Sequence, residues 1–213
     1  MADGKRRKTI ITVQHTQSEH HVNGYIGAQG NWNLTELGKE QARAIGRWLS
    51  EREHCDGSWL LYTSDLNRAF QTAEGINETL HIPEARFIST DVIRELNLGE
   101  GNGKPREWAN AHAKPWPEVY DPYFRSFEGS ECDAEMWKRL EPFAKELLAS
   151  EEEHILVVSH GGALGFLNSL LMGNSIEETR RWRFFGHSGG VTKFLYEEGQ
   201  PVKVPYVSVY VDL

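Results

Sequence analysis

Three observations in the 213-residue sequence predict an α/β fold, a three-layer α/β/α sandwich on a mostly parallel sheet. Short runs of β-branched and apolar residues alternate with segments of helical periodicity, the pattern that strand–helix–strand units leave in a sequence. The runs are apolar without alternation, as strands covered on both faces are. Two of the runs end in a histidine, His15 and His160, and in such folds the carboxyl ends of strands are where ligands sit.

Thr9–Val13 reads as the first buried strand, ending at Gln14 and His15. A polar, glycine-containing loop follows through Asn33. Thr35 then offers an N-cap to a helix whose apolar positions Leu37, Ala42, Ile45, Trp48 and Leu49 recur at helical spacing. Trp59–Tyr62 reads as a second strand, and Ser64 or Asp65 is the expected cap of a helix through Arg68, Phe70, Ala73 and Ile76. From about 95 to 133 the periodicity gives way to Gly, Pro and aromatic residues, among them Trp108, Trp116, Tyr120, Phe124 and Phe127. This segment is expected to be a helical and aromatic insert over the strand carboxyl ends, with most of its aromatic side chains packed on one another.

A long helix carrying Met136, Leu140, Phe143 and Leu147 leads into the most apolar run, Ile155–Val158, which ends at Ser159-His160-Gly161-Gly162. A helix from about Ala163 to Leu171 and two strands, Val191–Tyr196 and Val204–Val211, complete the expected elements. Residues 1–213 are expected to form one domain, since neither a repeat nor a low-complexity linker divides them.

Composition narrows the function. The net charge of −8 argues against a general nucleic-acid binder, although a local basic pocket can still attract a small anion. The basic run Lys5-Arg6-Arg7-Lys8 is expected to be a solvated terminus. Apolar runs are strand-sized, so no membrane partner is expected, and a cytoplasmic location fits the absence of a signal-peptide pattern. Cys55 and Cys132 form no CxxC, which suggests neither a disulfide framework nor a zinc ribbon. No oligomeric state can be read, because no heptads are present.

The segment Thr12-Val13-Gln14-His15-Thr16-Gln17-Ser18 resembles the R-H-G-[EQ]-[TS] signature of the histidine phosphatase (phosphoglycerate mutase-like) superfamily. The resemblance continues through Leu34-Thr35, Gly38 and Gln41-Ala42, then Thr63-Ser64-Asp65-Leu66 with Arg68-Ala69 and Gln71-Thr72-Ala73, and finally Val157–Gly162. It implies a metal-independent phosphomonoesterase that needs no cofactor and acts on a small phosphorylated metabolite. By the same resemblance His15 is the phosphate-accepting nucleophile, Glu95 the general acid and base, and His160 the stabiliser of the transferring phosphoryl group. Glu100 lies close enough in sequence to be aligned in place of Glu95. Gln14, Arg68, His21 and Gly161 then become the substrate-binding set.

The chemistry of these residue types agrees. A neutral imidazole can attack phosphorus and divide one hydrolysis into two transfers. Arg68, in the first turn of its helix, joins a planar guanidinium to a helix amino terminus, and both favour phosphate oxygens.

Gln14 stands where the family has an arginine, Thr16 where it has glycine, and His21 where an asparagine often follows. Protonated His20 and His21 are a candidate replacement for the lost charge, with activity rising in mild acid. Three rivals remain. The spacing of His15, Glu19, His20 and His21 matches neither zinc-protease pattern. Gly186-His187-Ser188-Gly189-Gly190 fits G-x-S-x-G, but no histidine follows to complete an esterase triad, and the segment reads as a turn before a strand. A non-catalytic phosphoryl-ligand binder would follow from losing the first arginine. Within the enzyme reading, a phosphoglycerate mutase-type transfer shares the first half-reaction, and the short length favours a phosphatase.

Overall fold

The computed structural model describes residues 6–181, 184 and 186–213. Lys5 of the basic run lies outside them. Six strands, β1 (Arg7–Gln14), β2 (Leu60–Ser64), β3 (Phe87–Thr90), β4 (His154–Ser159), β5 (Val191–Glu197) and β6 (Lys203–Val209), form one sheet in the order β3-β2-β4-β1-β5-β6. The first four run parallel, while β5 pairs antiparallel with β1 and with β6. β3 was not expected from the sequence, because its four residues are only half-covered and carry no long apolar run.

Alternation along the central strands divides the core in two. Ile10, Leu60, Tyr62, Ile155 and Val157 face α5 (Asp133–Ala149) and α6 (Gly161–Leu171), meeting Leu140, Phe143, Phe166 and Leu167. Ile11, Val13, Leu61, Leu156 and Val158 face α2 (Glu36–Glu53) and α3 (Asn67–Leu80), meeting Ile45, Leu49, Ala73 and Ile76. Successive side chains of a strand point to opposite faces, so a continuous apolar run is what a middle layer requires. The three-layer expectation is thereby met.

The remaining helices are short: α1 (Glu19–Val22) in the loop after β1, and α4 (Arg106–His112) in the cover segment. That segment bridges to the post-β1 loop through Tyr25 and Pro105, and Arg106 N–H donates to Gly24 O at 2.9 Å. Trp108 stacks between His112 and the buried Phe127, so it serves the cover's own core.

Local expectations were met unevenly. Thr35 caps α2 as expected, its hydroxyl accepting from Gly38 N at 3.0 Å. Neither Ser64 nor Asp65 caps α3, whose N-cap is Leu66, because tertiary partners have taken both side chains. Asp65 binds Arg94 as an ion pair, and Ser64 turns to His160. α6 begins at Gly161 rather than at Ala163. The basic run is not wholly solvated either. Lys8 is buried, with its ammonium donating to the Leu147 and Ser150 carbonyls at 2.5 and 2.8 Å, where a cation satisfies the end of α5. Gly186–Gly190 does form the turn ahead of β5, with Gly189 at a φ of +78°.

α2 and α3 approach closely because small residues line their contact. A Cβ on Gly75 would lie 2.7 Å from the Ala42 Cβ, and one on Gly46 would lie 2.7 Å from the Ile76 carbonyl oxygen. Gly75→Val is therefore expected to destabilise the chain by about 1–3 kcal/mol through overpacking, read as a lower urea midpoint with an unchanged m-value.

Candidate active site

The parallel pairing of β1 with β4 sets Gln14 opposite Ser159, so the next residues, His15 and His160, leave the same sheet edge side by side. Their ring centroids are 5.2 Å apart in a T-shaped arrangement, and both rings are buried. β2 pairs with β4 as well and ends at the same edge, where the following turn starts α3 and brings in Arg68 from its second position.

The hydrogen bonds settle how His15 holds its proton. Its Nδ1 lies 2.8 Å from the Thr16 carbonyl oxygen, which can only accept, so Nδ1 carries the hydrogen. The Nε2 lone pair is left free to accept from Arg68 Nε at 3.1 Å. Arg68 is itself buried, and its remaining contacts are to backbone, with Nη1 on Gly30 O at 2.8 Å and Nη2 on Ala28 O at 2.6 Å. Among the described residues no carboxylate forms an ion pair with it. Burial lowers its pKa to about 10, with Glu95 pulling the other way from a distance, and it stays charged at neutral pH.

His160 Nε2 lies 2.9 Å from Ser64 Oγ, and Leu66 N–H donates weakly to that hydroxyl at 3.4 Å. The hydroxyl keeps a second lone pair, so either group can be the donor in the Ser64–His160 contact. His160 Nδ1 is the one fully buried side-chain polar atom without a partner among the described residues. Buried polar groups are seldom left unpaired, and the exceptions point to a ligand or a function.

Glu95 is held at the amino terminus of α6. Its carboxylate accepts from Gly162 N at 3.0 Å, Ala163 N at 3.1 Å and its own Leu96 N at 2.8 Å. A Cβ at position 162 would lie 2.4 Å from Glu95 Oε1, so any other residue there would push the carboxylate aside. Gly161 is tied instead to Gln14, whose amide packs at 3.2–3.3 Å from where a Gly161 Cβ would be. Gln14 also faces Gly186, with its oxygen 2.8 Å from a Cβ placed there.

His20 and His21 join the cluster through α1. His21 stacks on His15 at 5.5 Å with 16° between the rings, and His20 tilts against His15 at 5.7 Å. Their surroundings disfavour the imidazolium forms expected to replace the missing arginine. Burial, then His21, Arg68 and Arg106, push the His20 pKa down to about 3, and burial followed by Arg68 and Arg106 lowers His21. Positive charge at the site is held by Arg68, with Arg106 of α4 near enough to be felt by both histidines. The sequence offers Arg106, with Lys104, Lys114 and Arg125, only as a basic residue of the insert compatible with mutase-type transfer, and its place beside His20 and His21 follows from how the cover packs on the loop at Gly24.

The tertiary structure also gathers His15, His20 and His21 more tightly than their loop spacing suggests, with one ring nitrogen from each lying within 4.8 Å of the others. Three imidazoles can hold a metal ion. Here the Arg68 guanidinium already occupies the His15 lone pair and would repel a dication, so the arrangement suits an anion better.

An imidazole with an acceptor nitrogen, a buried cation without an acid, an unpaired ring nitrogen among the described residues and a carboxylate on one sheet edge suit the handling of a phosphoryl group. The sequence pattern of the histidine phosphatase superfamily (branch 1) matches residues 10–208, and the chain belongs to this family of phosphatases. It is similar to phosphoserine phosphatase 1 of Hydrogenobacter thermophilus, at 29% identity over 82% of this chain and 80% of that protein. Glucosyl-3-phosphoglycerate phosphatase of Mycobacterium tuberculosis is 27% identical over 78% of this chain and 76% of its own. The native structure of a mycobacterial glucosyl-3-phosphoglycerate phosphatase shares the fold, with a TM-score of 0.76 at 21% identity over 97% of this chain and 100% of that one.

Burial, followed by the Arg68 charge, holds the pKa values of both His15 and His160 well below the usual 6.5. The unfolded chain therefore takes up protons first as the pH falls, so stability is full above about pH 6.5 and is lost progressively below it. Urea midpoints between pH 7 and 5 are expected to fall, corresponding to more than about 1.4 kcal/mol per pH unit, and His160→Gln is expected to flatten that slope.

Proposed function

We propose that the chain is a metal-independent phosphomonoesterase that transfers the phosphoryl group of a small phosphorylated substrate to His15 and then to water. The observation that carries this reading is the buried Arg68 guanidinium, which has no ion-pair partner among the described residues and donates to His15 Nε2. A buried cation left without an acid is costly unless an anion completes the site. Arg68 Nε holds the His15 Nε2 lone pair, and a phosphoryl group that takes over the guanidinium's hydrogen bonds frees that lone pair for attack.

In the first transfer His15 Nε2 attacks phosphorus, the N–P bond forms as the ester P–O bond breaks, and a proton brought in by the monoanionic ester passes through Glu95 to the leaving oxygen. In the second, Glu95 removes a proton from water as the water oxygen attacks, the N–P bond breaks, and inorganic phosphate leaves. Arg68 balances the charge on the equatorial oxygens throughout. His160 Nδ1, which has no partner among the described residues, supplies a further donor to them when it carries the ring hydrogen. Gln14 contributes a neutral amide beside Gly161, and His21 lines the rim. Because the His15 proton is held on Nδ1, Nε2 needs no deprotonation and becomes a nucleophile once the guanidinium turns from it to the phosphate.

Hydrolysis of an aryl phosphate in the presence of a chelator tests this directly. His15→Ala is expected to lower turnover at least about a thousandfold, and Glu95→Gln about 10²–10⁴-fold for an alkyl ester whose alcohol needs protonation. Loss of activity in chelator, or a His15→Ala variant as active as the parent, refutes the mechanism.

Gln14→Arg is expected to tighten inhibition by inorganic phosphate about tenfold, since a charge-assisted bond replaces a neutral one. Inhibition constants for the two proteins at one pH decide the matter.

A further inference from the structure

Glu95 lies in a stretch, residues 91–98, that belongs to neither helix nor strand, so its carbonyls have no ladder to bind them. Four consecutive carbonyls there are held instead by side chains from elsewhere in the chain. Arg139 of α5 donates from one nitrogen, Nη1, to Val92 O at 2.5 Å and to Arg94 O at 3.1 Å. Ser159 Oγ, at the end of β4, donates to Ile93 O at 2.6 Å, and Gln29 Nε2 donates to Glu95 O at 3.0 Å.

The rest of the Arg139 fork grips Glu131, with Nε on Oε1 and Nη2 on Oε2, both at 2.9 Å. Glu131 is tied in turn to the chain just past the acid. Its N–H donates to Asn97 O at 2.7 Å, and its carboxylate accepts from Asn97 N at 3.3 Å. The ion pair therefore brackets Glu95, binding the backbone at Val92 and Arg94 before it and at Asn97 after it.

We propose that Arg139 is a positioning residue for the general acid, and that its ion pair with Glu131 sets where the Glu95 carboxylate meets the leaving oxygen. The inference rests on the phosphomonoesterase reading, in which Glu95 serves the leaving group, and adds to it a residue that acts through the backbone alone.

The α6 amino terminus fixes the Glu95 carboxylate through Gly162 N and Ala163 N, but a carboxylate can pivot about two such donors. What stops the pivot is the place of its own backbone. Proton transfer needs heavy atoms within about 3 Å, and a misplacement of about 1 Å can cost on the order of a hundredfold. Arginine suits the task because its planar fork holds a carboxylate along one edge while a further N–H group serves two carbonyls, whereas a lysine ammonium is a single point. The pair is sheltered as well, with side chains 23% and 13% exposed, so solvent screens it less than a surface pair.

The test uses the full chain and two monoesters. Ethyl phosphate releases an alcohol that must be protonated, and 4-nitrophenyl phosphate releases a phenolate that leaves with little help. Arg139→Ala is expected to lower kcat/KM for ethyl phosphate about tenfold or more relative to 4-nitrophenyl phosphate. Arg139→Lys guards against a variant that fails to fold. It also keeps the positive charge, which is among those that lower the His160 pKa, yet it is expected to show most of the same change in ratio. In a Glu95→Gln background neither substitution should alter the ratio further, because the acid being positioned is gone.

Equal losses on the two esters, tracking the urea midpoint, are the mark of an arginine that only stabilises the fold. That result, or a further change of ratio in the Glu95→Gln background, overturns the positioning role and leaves the phosphatase reading intact. A Glu95→Gln variant that loses both esters equally refutes Glu95 as the acid, and a parent chain inactive on both esters refutes the catalytic reading. The positioning role falls with either.

Discussion

The parallel pairing of β1 with β4 is the constraint on which the site depends. Register in a sheet is set by which residues must face the core, and a slip of one residue would turn every side chain to the other face. Ile10 and Val157 must meet α5 and α6, while Ile11 and Val158 must meet α2 and α3. Those demands hold Gln14 opposite Ser159 and leave His15 beside His160 at the edge. The two-sided apolar core thus also positions the candidate catalytic pair, and the close α2–α3 contact at Gly46 and Gly75 keeps the helix that carries Arg68 against the sheet.

Electrostatically, the site is assembled around an unneutralised cation. Arg68 spends its hydrogen bonds on two backbone carbonyls and on His15, none of which cancels its charge. Burial is the main reason that His15, His20, His21 and His160 resist protonation, and the same guanidinium adds to it. A neutral imidazole is what nucleophilic attack on phosphorus requires, and an isolated cation is what a phosphoryl dianion completes. Glu95 stays apart from this cluster because the α6 amino terminus holds its carboxylate with backbone N–H groups.

The cover supplies what the sheet edge lacks. It brings Arg106 close enough to be felt by His20 and His21, and its Trp116 lines a cavity with Gly161 and Gly162. Family membership follows from the sheet edge and the sequence pattern. Loops and inserts on a rigid scaffold commonly carry the residues that surround a site.

Much of the fold was legible in the sequence. Unbroken apolar runs ending at Gln14-His15 and at Ser159-His160 specify buried parallel strands, and periodicity specifies the helices after them, because burial pattern and backbone geometry are local properties. β3 escaped notice for the same reason: four half-covered residues carry no such pattern. The residue types of the candidate site were legible too. Their states were not, since a proton on His15 Nδ1, an unpaired His160 Nδ1, a neutral His20 and an unpaired guanidinium at Arg68 depend on groups far away in the chain. The sequence by itself determined which chemistry-bearing side chains reach the sheet edge. Only the tertiary structure decided their charge and what lies beside Glu95, because burial and Coulomb interaction act through space rather than along the chain.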